Sequence, residues 1–173
     1  MASPDRLQLT VADVGDLHLL RGPRCAVMAD PRDLRYVRKL NFAIKQRDFW
    51  MPFAASILEE DAEKYLKNPT KWAFYMIEAF DSTPEGGEML VAGSHPFDRT
   101  IRPQLVNELN PGYRDIIRAF KKRTGVGGIL NTSFNLHGFP IVGTPEIAIH
   151  TFVNSELDAL ALGPFLLKKA GVE

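Results

Sequence analysis

Four polar side chains follow an apolar run in the second half of the chain. The run ends at Leu130, and Asn131, Thr132, Ser133 and Asn135 come directly after it. A polar cluster at the end of a buried strand costs free energy unless its groups form hydrogen bonds. In open α/β sheets, ligands bind at the carboxyl ends of the strands. The sequence therefore predicts a binding site in which these hydroxyl and amide groups contact a ligand.

Three cations elsewhere in the chain could supply the positive charge that an anionic ligand needs. Lys45 and Arg47 follow a predicted helix in the sequence IKQRDFW, and Arg102 stands in DRTIRPQ. Each has a simpler interpretation, because cations near a helix C-terminus complement its dipole and surface arginines often form ion pairs. Combined with Ser133 and Asn135, however, the Lys-x-Arg pair provides two positive groups, a hydroxyl and an amide. Such a set suits a polyphosphate.

The histidines and the cysteine add one further candidate. His95 and His137 stand in loops beside the predicted site, so either could bond a phosphate, and we include His95 among the substrate-binding candidates. The spacing of the four histidines predicts no metal site. Cys25 is better explained as a small buried side chain than as a nucleophile.

Composition narrows the class of protein. The chain has 21 basic and 21 acidic residues, and this neutral balance argues against a protein whose main role is to coat nucleic acid. A single cysteine suits a reducing compartment. The N-terminal sequence lacks the basic start and apolar run of a signal peptide, and no stretch approaches the ~20 apolar residues of a membrane span. The sequence predicts a cytoplasmic protein without a membrane partner.

Apolar spacing predicts the elements that must position these groups. Residues 1–23 show no regular pattern, and a single domain is expected over residues 24–173. One helix is predicted from residue 31 to about 44, and residues 81–88 (DSTPEGGE) are expected to form a turn or loop. The other predicted elements are strands at 53–58, 72–80, 89–93, 102–107, 126–130, 157–162 and 165–167, and helices at 60–67, 111–124 and 144–153. Because several strands come without long helices between them, the expected class is α/β (or α+β) with one twisted mixed sheet.

A set of longer motifs carries a resemblance. They are ADPRD (29–33), LNFAIKQRDFWMPFAASILEE (40–60), DRTIRPQ (98–104), NPGYRDIIRAFKKRTGVGGILNTSFNLHG (110–138), PIVGTPEIAIHTF (140–152) and LALGPFLL (160–167). Over roughly residues 24–168 the chain resembles the C-terminal, YrdC-like domain of the carbamoyltransferases typified by nodulation-factor and tobramycin O-carbamoyltransferases. The resemblance implies a YrdC-like fold, in which helices flank a twisted mixed sheet.

The resemblance also implies an activity. The YrdC-like domain would bind ATP, with Mg²⁺, and carbamoyl phosphate, and would form carbamoyl-adenylate with release of pyrophosphate. A sugar-kinase-like, metal-containing domain, on another chain or removed from this one, would then move the carbamoyl group to an acceptor hydroxyl. Lys45, Arg47 and Arg102 match the family's cations, which would stabilise the charge of the pyrophosphate. Ser133 and Asn135 match its S-x-N pair, which would orient the carbamoyl or α-phosphoryl end.

Three positions depart from the family pattern and keep other interpretations open. Many members have an arginine where this sequence has Met51, an acidic residue is usual at Phe139, and Gly143 replaces a common cysteine. One alternative is therefore a catalytically silent partner domain that binds ligands without turnover. Another is a YrdC-like module that binds RNA or a nucleotide, and an RNA role predicts binding with a steep salt dependence.

Overall fold

A computed structural model describes residues 9–12, 25–46, 48 and 50–171 of the 173. The strands are β1 (Leu9–Ala12), β2 (Cys25–Ala29), β3 (Ala54–Leu58), β4 (Pro103–Val106), β5 (Gly128–Ser133), β6 (Ala159–Leu162) and β7 (Phe165–Lys168). The helices are α1 (Leu34–Leu40), α2 (Ala62–Tyr65), α3 (Pro84–Met89), α4 (Pro111–Thr124) and α5 (Pro145–Val153). A π-helical turn, Asn41–Lys45, continues α1, and two 3₁₀ turns cover Glu59–Asp61 and Val91–Gly93. No helix within the described residues is long and apolar enough to cross a membrane.

The described residues form two compact units. The first takes residues from the ranges 1–30, 35–47 and 132–173, and the second from 31–34 and 48–131. In the first unit the strands lie in the order β2-β1-β6-β7, with β1 antiparallel to β2 and parallel to β6. β7 runs antiparallel to β6 and exposes Phe165 and Leu166. Phe134, Phe152 and Leu160 are among the buried core side chains of this unit.

The second unit contains the order β4-β3-β5, in which β3 is parallel to β4 and antiparallel to β5. Successive side chains of a strand point to opposite faces, so Ala55 and Ile57 share one face of β3 while Ser56 lies on the other. Ala55 and Ile57 belong to an apolar cluster with Leu90 and Leu105. Both units therefore contain mixed strand pairing with flanking helices, and the predicted fold class is confirmed.

Helix caps explain why several elements lie where they were predicted. Pro111 occupies the first turn of α4, and Gly125 ends the helix in the left-handed conformation at φ 79°. Thr144 caps α5 by accepting a hydrogen bond from the backbone N–H of Ile147 at 3.3 Å.

The predicted strands at 53–58, 102–107, 126–130, 157–162 and 165–167 correspond to β3, β4, β5, β6 and β7.

The predictions for residues 72–93 were wrong. Residues 72–80 form no strand, because Met76 adopts a positive φ of 59° and the apolar side chains are not buried on both faces: Ile77 is 78% exposed. The predicted loop at 81–88 contains α3, whose start is capped by Thr83 accepting from the N–H of Gly86 at 3.0 Å. The predicted strand at 89–93 is the end of α3 and a 3₁₀ turn.

The glycine pair in PEGGE was read as a turn signal, but Gly86 serves helix packing. A Cβ atom at this position would lie 2.0 Å from the carbonyl oxygen of Tyr65, so the close approach of α3 to the end of α2 requires glycine. Near the N-terminus, β1 and β2 lie where no regular pattern was visible in the sequence. The predicted domain boundary at residue 24 stays a prediction.

Candidate functional site

Lys45 is positioned by the end of the helical segment that α1 begins. The π-helical turn closes at Gln46, which adopts a left-handed conformation (φ 45°, ψ 39°) and donates its N–H to the carbonyl of Asn41 at 2.7 Å. This reversal ends the helix immediately after Lys45. The side chain of Lys45 is only 4% exposed, which is rare for a lysine and requires polar partners for its ammonium.

Those partners are the S-x-N pair that follows β5. The Lys45 Nζ donates to Ser133 Oγ at 2.9 Å and to Asn135 Oδ1 at 2.7 Å. The hydroxyl of Ser133 in turn donates to Asn135 Oδ1 at 2.7 Å. All three residues lie in the first unit. The structure thus brings together three of the side chains that the sequence analysis selected, although Lys45 is about 90 positions from the other two in the chain.

The amide of Asn135 is held in one orientation. Its Nδ2 donates to the carbonyls of Leu136 at 3.1 Å and Phe139 at 2.8 Å, so its Oδ1 must face Lys45. The preceding residue, Phe134, is fully buried and accepts at its carbonyl from the N–H of Val142 at 3.0 Å. The backbone that carries Asn135 is therefore fixed by both a core side chain and a hydrogen bond.

His137 also belongs to this cluster, and the sequence analysis left it out of the candidate set. Its backbone N–H donates to the carbonyl of Ile44 at 3.0 Å, and its Nδ1 lies 2.8 Å from the carbonyl oxygen of Lys45. A carbonyl oxygen only accepts hydrogen bonds, so Nδ1 carries the proton. The one signal in the sequence was the position of His137, two residues after Asn135.

The cluster has the chemistry of an anion-binding group. The oxygens of Ser133 and Asn135 that contact Lys45 are neutral, and these two contacts orient the ammonium. A positive charge with fixed orientation and low exposure interacts more strongly with an anion than a mobile surface lysine does. The arrangement can therefore neutralise and position a phosphate.

Arg47, one of the predicted site residues, lies outside the described residues. Three others, His95, Arg102 and Asn131, belong to the second unit. Arg102 is exposed directly before β4. His95 Nδ1 lies 3.2 Å from Asp98 Oδ1 within a tight turn. Hydrogen bonds from the backbone and hydroxyl of Thr100, together with the His95 ring, hold the pKa of the Asp98 carboxyl below its usual value. His95 thus has a local structural partner.

Asn131 and Thr132 have positions of their own. The Nδ2 of Asn131 donates to Gln104 Oε1 at 3.2 Å, and this oxygen also accepts from Ser56 Oγ at 3.1 Å. These contacts join β3, β4 and β5 within the second unit. Burial raises the pKa of the neighbouring Tyr113 phenol, and the Ser56 hydroxyl acts in the opposite direction. Thr132 is buried and, by strand alternation, points to the face opposite Asn131.

Across the part of the chain that the structure describes, no three His, Cys, Asp or Glu side chains gather as metal ligands.

Residues 21–169 match the family described as Carbamoyltransferase C-terminus, and the chain belongs to this family. The predicted family is therefore confirmed.

Individual relatives narrow the comparison. The chain is 41% identical to the nodulation protein NolO of Bradyrhizobium diazoefficiens over 86% of its own length and 28% of that protein. It is 37% identical to the nodulation protein NolNO of Sinorhizobium fredii, over 86% of this chain and 23% of NolNO. The chain spans about a quarter of the length of the curated relatives that it matches.

A solved structure shares the fold. The crystal structure of full-length HypF in the phosphate- and nucleotide-bound form superimposes with a TM-score of 0.59. The match covers 93% of this chain and 23% of HypF, at 14% sequence identity. At this identity the likeness concerns the fold alone.

Proposed function

We propose that this chain is the part of a carbamoyltransferase that binds ATP and carbamoyl phosphate and forms carbamoyl-adenylate. The observation that carries the proposal is the buried ammonium of Lys45, held by Ser133 Oγ and Asn135 Oδ1, in a member of a carbamoyltransferase family. HypF, which has a similar fold, was crystallised with phosphate and nucleotide bound, and this supports a nucleotide site in such a fold.

The proposed reaction proceeds in two steps. Water cleaves carbamoyl phosphate into carbamate and phosphate. A carbamate oxygen then attacks the α-phosphorus of ATP, the bond between that phosphorus and the oxygen bridging to the β-phosphorus breaks, and pyrophosphate leaves. Chemistry of this kind depends mainly on positioning and on charge stabilisation. Mg²⁺ would enter bound to ATP and offset part of the phosphate charge.

The side chains of the cluster take roles that follow from their atoms. Lys45 contacts phosphate oxygens and stabilises the charge that develops on pyrophosphate. Ser133 and Asn135 orient the Lys45 ammonium and the α-phosphoryl end of ATP. The catalytic roles of Arg47 and Arg102 stay predictions. Substrate contacts of Asn131, Thr132 and His95 stay predictions.

Transfer to an acceptor requires a further domain in this proposal. The acceptor hydroxyl attacks the carbamoyl carbon, AMP leaves, and the hydroxyl proton passes to solvent. We assign this step to a sugar-kinase-like domain, the kind that the family resemblance implies. The chain spans about a quarter of its relatives' length, so these relatives have room for such a domain. The adenylate-forming step is therefore the one to assay on this chain.

The direct test is pyrophosphate exchange into ATP that depends on carbamoyl phosphate, measured with the purified chain and again after adding a candidate partner domain. Lys45→Ala should abolish exchange, because it removes the oriented charge. Lys122→Ala is the matched control, since Lys122 is an exposed lysine of α4 and its loss should leave exchange unchanged. No exchange in either arrangement contradicts the proposed activity.

The same samples separate the alternatives. ATP binding without exchange indicates a silent partner domain, and Met51→Arg should then raise activity. Binding of transfer RNA that weakens steeply with salt, in place of ATP binding, indicates an RNA-binding module.

A further inference from the structure

We infer that His137 is a positioning residue that holds Lys45 in its working orientation through the Nδ1 proton. The inference rests on the proposed function of Lys45, but its central contacts are structural. The backbone N–H and the ring Nδ1 of His137 bond two consecutive carbonyls, those of Ile44 and Lys45, at 3.0 and 2.8 Å. Both carbonyls belong to the last residues of the π-helical turn.

The two hydrogen bonds from His137 are made to carbonyls at the C-terminal end of the helix. The last carbonyls of a helix have no partner further along it, and at this point the chain reverses through the left-handed Gln46. His137 supplies those partners from the same segment that carries Asn135. Consequently the backbone of Lys45 is attached to the loop that also binds its ammonium, and the two ends of the lysine are fixed by one short segment.

The atom that makes the contact predicts which substitutions preserve it. The Nδ1 of histidine and the Nδ2 of asparagine are both two bonds from Cβ, whereas the amide nitrogen of glutamine lies one bond further, near the place of Nε2. His137→Asn should therefore retain the bond to the Lys45 carbonyl, and His137→Gln should lose it. If His137 instead touched the substrate through Nε2, glutamine would be the better replacement.

The test measures the chemical reactivity of the Lys45 amine and does not depend on the adenylate-forming reaction. The purified chain is treated with a dilute acetylating reagent, and peptide mass spectrometry follows the rate at Lys45 relative to the exposed Lys122. His137→Ala should raise the relative rate about two- to tenfold, the range expected for loss of one hydrogen bond. His137→Asn should stay close to the wild-type rate and His137→Gln should follow the alanine variant.

Affinity for ATP should change in the same order, and His150→Ala, which removes an exposed histidine of α5, should change neither quantity. An unchanged Lys45 rate in His137→Ala overturns the inference, and so does a glutamine variant that matches wild type while asparagine does not. If the alanine variant does not fold, the comparison of asparagine with glutamine decides. Failure of pyrophosphate exchange with an intact acetylation pattern would count against the proposed function alone.

Discussion

Asn135→Asp is the sharpest test of the charge on Lys45. The substitution preserves the shape of the side chain and places a carboxylate oxygen where the amide oxygen now lies, 2.7 Å from Lys45 Nζ. It also removes the Nδ2 donor to the carbonyls of Leu136 and Phe139, a loss that Asn135→Ala shares. The difference in affinity between these two variants therefore measures the added charge. A phosphate oxygen bound on the other side of the ammonium would be about 5 Å from this carboxylate. At an effective dielectric constant of about 20, two such charges repel by about 3 kcal/mol. That repulsion corresponds to about a hundredfold weaker ATP binding.

Isothermal titration calorimetry with ATP and Mg²⁺ measures the effect, and two variants separate its causes. Asn135→Ala removes the contact to Lys45 without adding charge, so it should weaken binding less than the aspartate. Asn154→Asp makes the same change of net charge at an exposed position of the first unit and should leave the affinity unchanged. An aspartate variant that binds ATP within about threefold of wild type would show that Lys45 does not face a phosphate.

Three further predictions concern stability, measured by chemical or thermal unfolding. Gly86→Ala should cost at least about 2 kcal/mol because its Cβ would meet the Tyr65 carbonyl. Gly87→Ala, whose Cβ would lie 3.3 Å from the mobile hydroxyl of Ser82, should cost much less, and equal effects would contradict the packing argument. Thr144→Ala should cost about 1 kcal/mol through loss of the α5 cap, and Thr144→Ser should restore it. Burial raises the pKa of Glu60, but a backbone hydrogen bond and the hydrogen bonds from Arg114 and Arg118 of α4 lower it by more. The net pKa of Glu60 therefore lies below its usual value of 4.5. Stability from this group is therefore present above pH 4.5 and is lost as the pH falls through the folded pKa, so Glu60→Gln should flatten the acid side of the stability profile.

Elements with local signals were predictable from the sequence, and elements defined by distant neighbours were not. The caps at Pro111, Gly125 and Thr144 act within a few residues, so α4 and α5 could be located in advance. The aromatic segment at 72–80 was misjudged because apolar content alone does not report burial. Its backbone runs beside β4, where Leu105 donates to Ala73, and its outer side chains remain exposed.

The same distinction applies to the candidate site. The side-chain types of Lys45, Ser133 and Asn135 suited one polyphosphate site, and the family resemblance supported grouping them. The burial of Lys45 was not visible in the sequence, so its direct hydrogen bonds to the other two were not predictable. His137 was not predictable in this way, since its contacts are to backbone carbonyls, which every residue possesses. The contact of Asn131 with Gln104 depends on the register between strands, and side-chain spacing along one segment carries no information on that register.

The last strand has a practical consequence for work with the isolated chain. Among the described strands, β7 pairs with β6 on one side and stands at the end of the strand order, so its other side offers backbone donors and acceptors. Phe165 and Leu166 point to opposite faces of that ribbon, and they are 70% and 56% exposed. An edge strand that exposes apolar side chains on both faces is a template for self-association. Purification at low protein concentration, or a lysine in place of Leu166, should therefore suppress precipitation without altering the interior.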